Sequence, residues 1–415
     1  MKAIRLTTYL TFAAAWSFGG YAAAQQPPRH PSHRTQHPPH APAAPPNAMK
    51  PPQFGDPLPG LTKAQMAVFL DGKEDFEDAE TEAGGLGPIF NRNSCVTCHS
   101  APATGGAGPI NVTRFGRTTN GVFDPLTSLG GSLQQEMEIN AVLHEVVPPE
   151  ANVVAHRNST PLFGLGLIEA IPDDQILRNV KRSPLDGAQG KVSKVADAAT
   201  GKTLIGRFGW KAQQATLLSF AGDAYLNEMG ITSRLFPVEN APNGNQQLLA
   251  QYDTVVDPED VVDPATGRGD IDRVADFMRY LGAPPRLPLT SSAGMGRNVF
   301  QNTGCAVCHV PLMMTGPNKI LALDRQEVWL FSDLLLHDMG TLGDGIAQGT
   351  ADVRDIKTAP LWGLRASAPY LHDGRAATID EAIKAHDGEG KVAKERYLKL
   401  TKQQVQQLID FLNSI

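Results

Sequence analysis

Cys95-Val96-Thr97-Cys98-His99 and Cys305-Ala306-Val307-Cys308-His309 decide how this chain must fold. Both read C-x-x-C-H, the attachment signature of c-type haem, in which two thioethers anchor the porphyrin and the histidine ligates iron. The chain has four cysteines, and the two motifs use them all. A zinc ribbon built from C-x-x-C pairs would not normally place a histidine directly after each pair. A disulfide between cysteines three residues apart is strained. Two covalent haem c groups are therefore expected, on Cys95, Cys98 and His99 and on Cys305, Cys308 and His309.

The flanks of the two motifs repeat each other. A helix is predicted from Thr62 as N-cap through Leu70, ahead of the first motif. Apolar residues at 271, 274, 277, 278 and 281 give a helix of 3.6 period, stopped by Gly282 and Pro284-Pro285. The pattern then recurs: a helix over 292–300 leads into the second motif, and an amphipathic helix over 401–412 closes the chain. The fold expected is mainly α, with two tandem cytochrome c-like domains at 55–285 and 286–415, the first enlarged by loops. Ser183 to Gly206, rich in Gly and Lys, reads as a hairpin or surface insertion.

The amino end reads differently. MKAIR is basic, Leu6 to Tyr21 is apolar, and Ala22-Ala23-Ala24 offers a cleavage site before Gln25. Residues 1–24 are expected to be a signal peptide for export to the periplasm, where c-type haem is attached. Residues 25–54 are rich in proline and carry His30, His33, His37 and His40. Such a segment cannot bury a core and should be a disordered tether. The net charge of −6 argues against a nucleic-acid partner, and no later segment reaches transmembrane length.

Five further stretches carry a family resemblance: GLGPIFN (85–91), RNSTPLFGLGLIEAIP (157–172), GRFGWKAQQATL (206–217), SDLLLHDMG (332–340) and TAPLWGLRASAPYLHDGRAATIDEAI (358–383). In this order, with both haem motifs, they resemble the dihaem cytochrome c peroxidase and MauG superfamily. The closest likeness is to its di-haem oxidoreductase branch, some of whose members are called thiol oxidoreductases. That name finds no support here, because every cysteine is assigned to haem. The resemblance implies an electron-transfer haem in the C-terminal domain and a reactive haem in the N-terminal one.

Carried over position by position, Ser367-Ala368-Pro369-Tyr370 matches the stretch that precedes the distal ligand of the C-terminal haem, and its spacing lands on His386. A His309/His386 pair lowers the reduction potential relative to His/Met coordination. Met339 is the alternative distal ligand. His337 and His372 then read as second-rank residues near the haem, or as satisfied structural histidines. On the first haem, the position of a displaceable second histidine in many relatives is occupied by Phe115, which leaves that iron open. His144 and His156 are the remaining ligand candidates.

The family's acid–base glutamate matches Glu228 in Asn227-Glu228-Met229-Gly230, with Glu169 as runner-up; each is otherwise a salt-bridged carboxylate. The family's pocket glutamine is replaced near Phe220. Trp210, with Leu217 at the matching interval, fits the tryptophan between the haems, or is simply a core residue. The superfamily's calcium ion would be held by Asn158 and the carbonyls of Ser367 and Pro369.

The resemblance implies a periplasmic peroxidase. Its partners would be peroxide or dioxygen and an electron donor, either a small cytochrome, a cupredoxin or a quinol-linked chain. Two other functions fit the same residues. One is a dihaem electron-transfer cytochrome without turnover; the other is MauG-like or dioxygenase oxidation of a different substrate.

Overall fold

The computed structural model describes residues 52–415. The expected signal peptide and most of the expected tether lie outside the described residues. Phe54, at the tether's expected end, packs on Phe163 with ring centroids 5.4 Å apart and sits 5.0 Å below the Arg365 guanidinium.

The helices that position the site are α1 (Lys63–Glu77), α2 (Leu217–Ala224), α3 (Asp270–Tyr280), α4 (Ser291–Asn302), α5 (Ile379–Ala385) and α6 (Lys402–Ser414). The caps follow the sequence closely. Thr62 and Gln65 form a reciprocal capping box on α1, as Thr401 and Gln404 do on α6. Ile271, Val274, Phe277 and Met278 line the buried face of α3, and Leu408, Phe411 and Leu412 that of α6.

Two helix pairs make the frame: α1 packs on α3, and α4 packs on α6. Each pair crosses at a glycine. A Cβ on Gly72 of α1 would fall 2.1 Å from the Arg273 carbonyl oxygen, and one on Gly296 of α4 would fall 1.9 Å from that of Gln407. Both backbones therefore touch where any larger residue would force them apart. Aromatic rings fill the space beside each crossing. Phe69 and Phe76 flank Phe277 at 5.4 and 4.8 Å, and Phe76 lies 6.1 Å from the His99 ring. Phe300, Phe331 and Phe411 form the corresponding cluster beside His309, at 5.4 to 6.1 Å.

The buried apolar residues fall into two main clusters. The larger runs from Leu58 to Leu281 and takes in Met313, Leu330 and Trp362 from beyond the α3 terminus. The smaller is built from α4, α5, α6 and the residues between, ending on Ile415.

Strands contribute more than helical periodicity suggested. The nine-residue β1 (Asn111–Thr119) is central, pairing antiparallel with β2 (Val122–Asp124), β3 (Leu133–Gln134) and β4 (Val153–Asn158). Its side chains alternate between faces, so Val112 and Arg114 share one side while Asn111, Thr113 and Phe115 share the other. The predicted hairpin within Ser183–Gly206 is present as β5 (Ser193–Ala196) and β6 (Thr203–Gly206). A third antiparallel pair, β7 (Leu336–Asp338) with β8 (Asp355–Lys357), carries His337. Among the described residues no helix is long and apolar enough to cross a membrane.

Candidate functional site

Each C-x-x-C-H motif opens on its own cavity. Cys95, Cys98 and His99 line one of about 180 Å³, and Cys305, Cys308 and His309 line one of about 290 Å³. None of the four cysteines is in a disulfide. Burial pushes the Cys95 and Cys98 thiols up to about 12 and about 11, with help from nearby carboxylates. They are therefore not reactive thiolates at neutral pH.

The motif histidines are held alike. His99 Nδ1 lies 3.0 Å from the Gly106 carbonyl oxygen, and His309 Nδ1 lies 3.0 Å from that of Phe331. Each carbonyl accepts a hydrogen bond from Nδ1–H, which leaves Nε2 to carry the lone pair, the tautomer an iron ligand needs. Burial lowers both imidazoles further from protonation, His309 to about 4. Paired cysteines, an oriented neutral histidine and a mostly apolar cavity fit a covalently held haem at both places.

In the larger cavity His386, the C-cap of α5, is presented in the same way: its Nδ1 lies 2.8 Å from the Ala382 carbonyl oxygen. His386 also contributes to lowering the pKa of His309, after burial itself. Met339 lines the same wall. A Cβ on Gly390 would come 3.1 Å from His386 Cδ2 and 3.3 Å from Met339 Cε, so the two side chains converge there. His337 has its ring fully engaged, with Nε2 3.0 Å from Asp333 Oδ2 and Nδ1 2.6 Å from Glu389 Oε2. Burial works against its charge, but Asp333, Cys308 and Glu389 outweigh it and push His337 up to about 12. It is a buried, paired cation. His372 stacks edge-on against Trp210 at 6.2 Å, and its carbonyl accepts from the Asn158 amide at 2.7 Å.

The smaller cavity holds a different set. Glu228 sits in a π-helical turn, Tyr225–Met229, that continues α2. Single π turns of this kind re-aim side chains and are frequent at functional sites. Glu228 Oε2 accepts from Asn91 Nδ2 at 2.7 Å. Burial raises its pKa, Arg114 and Asn91 pull it back, and Asp223 raises it again. The result is a half-buried carboxyl with a raised pKa.

Arg114 is the residue that sequence comparison missed. It lines this cavity, is half-buried, and has a buried Nε without a hydrogen-bond partner among the described residues. Burial and then Arg157 lower its pKa, and Glu228, Asp223 and Asp344 only partly restore it, to about 10. Phe115, one residue on, is buried on the opposite face of β1 and does not line the cavity. Strand alternation from Asn111 was the signal that could have found Arg114.

Other expected candidates lie elsewhere. His144 is mostly exposed beside Glu138, and exposed His156 approaches Thr113 at 3.4 Å; neither lines the cavity. Glu169 does not reach it either. Its carboxylate accepts from the Leu217 amide at 2.8 Å and pairs with Arg279 at 2.9 Å, so it caps α2 and ties it to α3. Phe220 does line the cavity, which is apolar at that point.

Trp210 lines both cavities, with Gly209, Asn158 and Phe220. Its Nε1 donates to the Asn158 carbonyl at 2.8 Å. Asn158 Oδ1 is buried without a hydrogen-bond partner among the described residues, and so is Asn111 Oδ1, its directly opposed neighbour across β1 and β4. A Cβ on Gly374 would fall 2.7 Å from Asn158 Nδ2 and 3.2 Å from Pro369 Cγ, so the amide abuts the Ser367–Pro369 turn. Orphaned amide oxygens beside carbonyls are the donor set of a hard cation.

The family model described as "Di-haem oxidoreductase, putative peroxidase" matches residues 132–415, a span holding the second motif, Trp210, Glu228 and His386. Cytochrome c peroxidase Ccp of Escherichia coli (strain K12) is 24% identical over 221 residues, covering 50% of this chain and 44% of the relative. Cytochrome c551 peroxidase of Nitrosomonas europaea is 25% identical over 120 residues, 29% of this chain and 33% of the relative. The chain thus spans less than half the length of these curated relatives. Among solved structures, a MauG-like protein associated with microbial copper homeostasis aligns with a TM-score of 0.39 and 16% identity, covering 88% of this chain and 92% of that one. The diheme peroxidase BthA from Burkholderia thailandensis aligns at 0.38 and 12%, covering 84% and 85%. By the family match over 132–415, this chain belongs to the di-haem oxidoreductase family.

Proposed function

We propose that this protein is a periplasmic dihaem peroxidase, reducing hydrogen peroxide at the His99 cavity with electrons received at the His309 cavity. The observation that carries the reading is the inequality of the two cavities. The His309 cavity holds a second oriented histidine, His386, with Met339 beside it. Among the described residues His99 is the one histidine lining the His99 cavity, and the half-buried acid Glu228 and half-buried cation Arg114 line it too.

Haem c, joined through Cys95 and Cys98 and through Cys305 and Cys308, would supply the redox iron at each site. The reaction is H2O2 + 2e⁻ + 2H⁺ → 2 H2O. Glu228 would take a proton from one peroxide oxygen and deliver it to the other, which leaves as water. Its raised pKa suits it to hold and release that proton. Arg114 places positive charge where charge develops as the O–O bond lengthens. Asn91 fixes the carboxylate, and Phe220 helps exclude water. Trp210 fills the wall between the two cavities, where an indole shortens the electron path.

His386 is the distal ligand proposed for the second haem. Asn158 Oδ1, with the carbonyls of Ser367 and Pro369, would hold a calcium ion, and Asn111 Oδ1 is placed to join them. The cation would fix β4 against the Ser367–Pro369 turn and so fix the Trp210 contact. The domain division at 285 belongs to the same reading, each part carrying one haem and one glycine-crossed helix pair.

The test is stopped-flow spectroscopy of the purified dihaem protein with peroxide and a reduced donor cytochrome. Rapid peroxide-dependent oxidation of the donor is expected, together with one open or water-ligated haem and one low-spin haem. Two low-spin, six-coordinate haems in every redox state, with no donor oxidation, would sink the proposal and leave a plain electron carrier.

A further inference from the structure

Away from both cavities, three carboxylates converge where the chain leaves the Glu228 turn. Glu239, Asp257 and Glu259 each offer an oxygen, and these atoms all lie within 4.8 Å of one another. Asp257 is exposed, Glu259 half-buried and Glu239 buried.

Glu239 is the informative member. It is 7% exposed; its Oε1 accepts from the Asn240 amide at 2.9 Å, and its Oε2 is buried with no hydrogen-bond partner among the described residues. A buried carboxylate oxygen left unpartnered is costly, and more so beside two further carboxylates. Among the described residues no Lys, Arg or His forms an ion pair with any of the three. The arginine nearest in sequence, Arg234, is committed to Asp260 and Asp272. The carboxylates of Asp257 and Glu259 are instead held in place by Thr232, whose hydroxyl contacts both and whose amide donates to Glu259 Oε2 at 2.6 Å.

We infer that Glu239, Asp257 and Glu259 form a divalent cation site of the calcium type, separate from the Asn158 position. The donors are all oxygens, they come from loops, and a bound cation would offset the charge they gather. That set suits Ca²⁺, which accepts irregular oxygen coordination with water completing the shell, better than a transition metal that prefers nitrogen or sulfur. Its structural consequence is local. The site clamps the segment after the Glu228 turn (Tyr225–Met229) to the 257–259 loop, which leads into α3, and α3 lines the His99 cavity through Val274 and Met278.

The experiment is calcium titration calorimetry on the full dihaem protein after chelation with EGTA, using Ca²⁺ alone as the probe. Wild type is expected to bind one equivalent more than Glu239→Gln, and Asp257→Asn is expected to lose the same equivalent or bind it at least tenfold more weakly. Asp257 is exposed, so the second variant gives a reading even if Glu239→Gln fails to fold, with the haem absorption spectrum as the check. Asn158→Ala must keep this equivalent. Unchanged stoichiometry and affinity in a folded Glu239→Gln or Asp257→Asn protein would overturn the inference. So would an Asn158→Ala protein that binds no calcium at all.

Discussion

The Asn91 side-chain amide donates a 2.7 Å hydrogen bond to Oε2 of Glu228, which stands 137 residues further along the chain. The backbone repeats the link, because the Asn91 amide nitrogen donates to the Glu228 carbonyl at 2.8 Å. Asn91 is four residues before Cys95, so the turn entering the first haem motif is tied at two points to the turn bearing the acid.

That bond favours the ionised carboxyl and opposes the burial that raises its pKa. Removing it in Asn91→Ala should raise the Glu228 pKa further. If the carboxylate form accepts the peroxide proton, activity falls as pH drops through that pKa. The acidic limb of kcat/KM against pH should therefore move to higher pH in Asn91→Ala. Glu228→Gln should lose that limb and about 10²–10⁴-fold in rate, with both haem spectra retained. A profile unmoved by Asn91→Ala would separate the hydrogen bond from the proton transfer.

Arg114 acts on the same carboxyl with the opposite sign to burial. Arg114→Met removes the cation that shares the cavity with Glu228 and should also shift the acidic limb upward. It should slow O–O cleavage by about 10²–10³-fold, the range seen when one charge-stabilising group is lost. Arg114→Lys keeps the charge without the planar fork and should recover part of the rate. Equal loss in both variants would point to packing rather than charge. Rapid mixing with peroxide, monitored at the haem band, distinguishes them.

Much of this was legible in the chain. The two C-x-x-C-H motifs, the threonine caps and the apolar spacing of α3 and α6 are local features that need no tertiary knowledge. His386 was reached through the family resemblance, and it does line the His309 cavity. Arg114 was not reached, because motif spacing pointed at Phe115, and a one-residue shift on a strand exchanges the cavity face for the opposite one. Glu169 looked like an acid candidate because nothing in its own stretch shows its partner, Arg279, 110 residues away. The carboxylate cluster around Glu239 is equally silent in sequence, since acidic loops are ordinary until one oxygen proves buried and unpaired.

The glycine crossings give a stability prediction. Gly72→Ala and Gly296→Ala each place a methyl group in a position now occupied by a carbonyl oxygen of the partner helix. The helices must separate, and each change should cost about 1–3 kcal/mol in denaturant unfolding of the holo-protein. Gly294 also lies on α4, but a Cβ there meets only Leu289 at 4.0 Å. Gly294→Ala should be neutral or stabilising by about 0.5–1 kcal/mol through helix propensity. A comparable loss at Gly294 and Gly296 would refute the close-crossing argument.

The choice between His386 and Met339 is the prediction that most directly tests the division of labour between the cavities. Both side chains meet at Gly390, but only His386 has a ring nitrogen held by a backbone carbonyl, at Ala382, so that the other faces away as a lone pair. His386→Ala should therefore convert the low-spin signature of the His309 haem to high-spin or to a different axial ligand. If Met339 swings in, the reduction potential should rise, since thioether coordination favours ferrous iron relative to imidazole. Met339→Ala should leave the low-spin signal and the potential nearly unchanged. Near-infrared and electron paramagnetic spectra, with a potentiometric titration of each variant, read both outcomes. A His386→Ala protein that keeps its low-spin spectrum, paired with a Met339→Ala protein that loses it, would transfer the ligand to Met339. The peroxide reaction should still occur at the His99 cavity in either case, with steady-state turnover altered through electron delivery and not through the Glu228 pH limb.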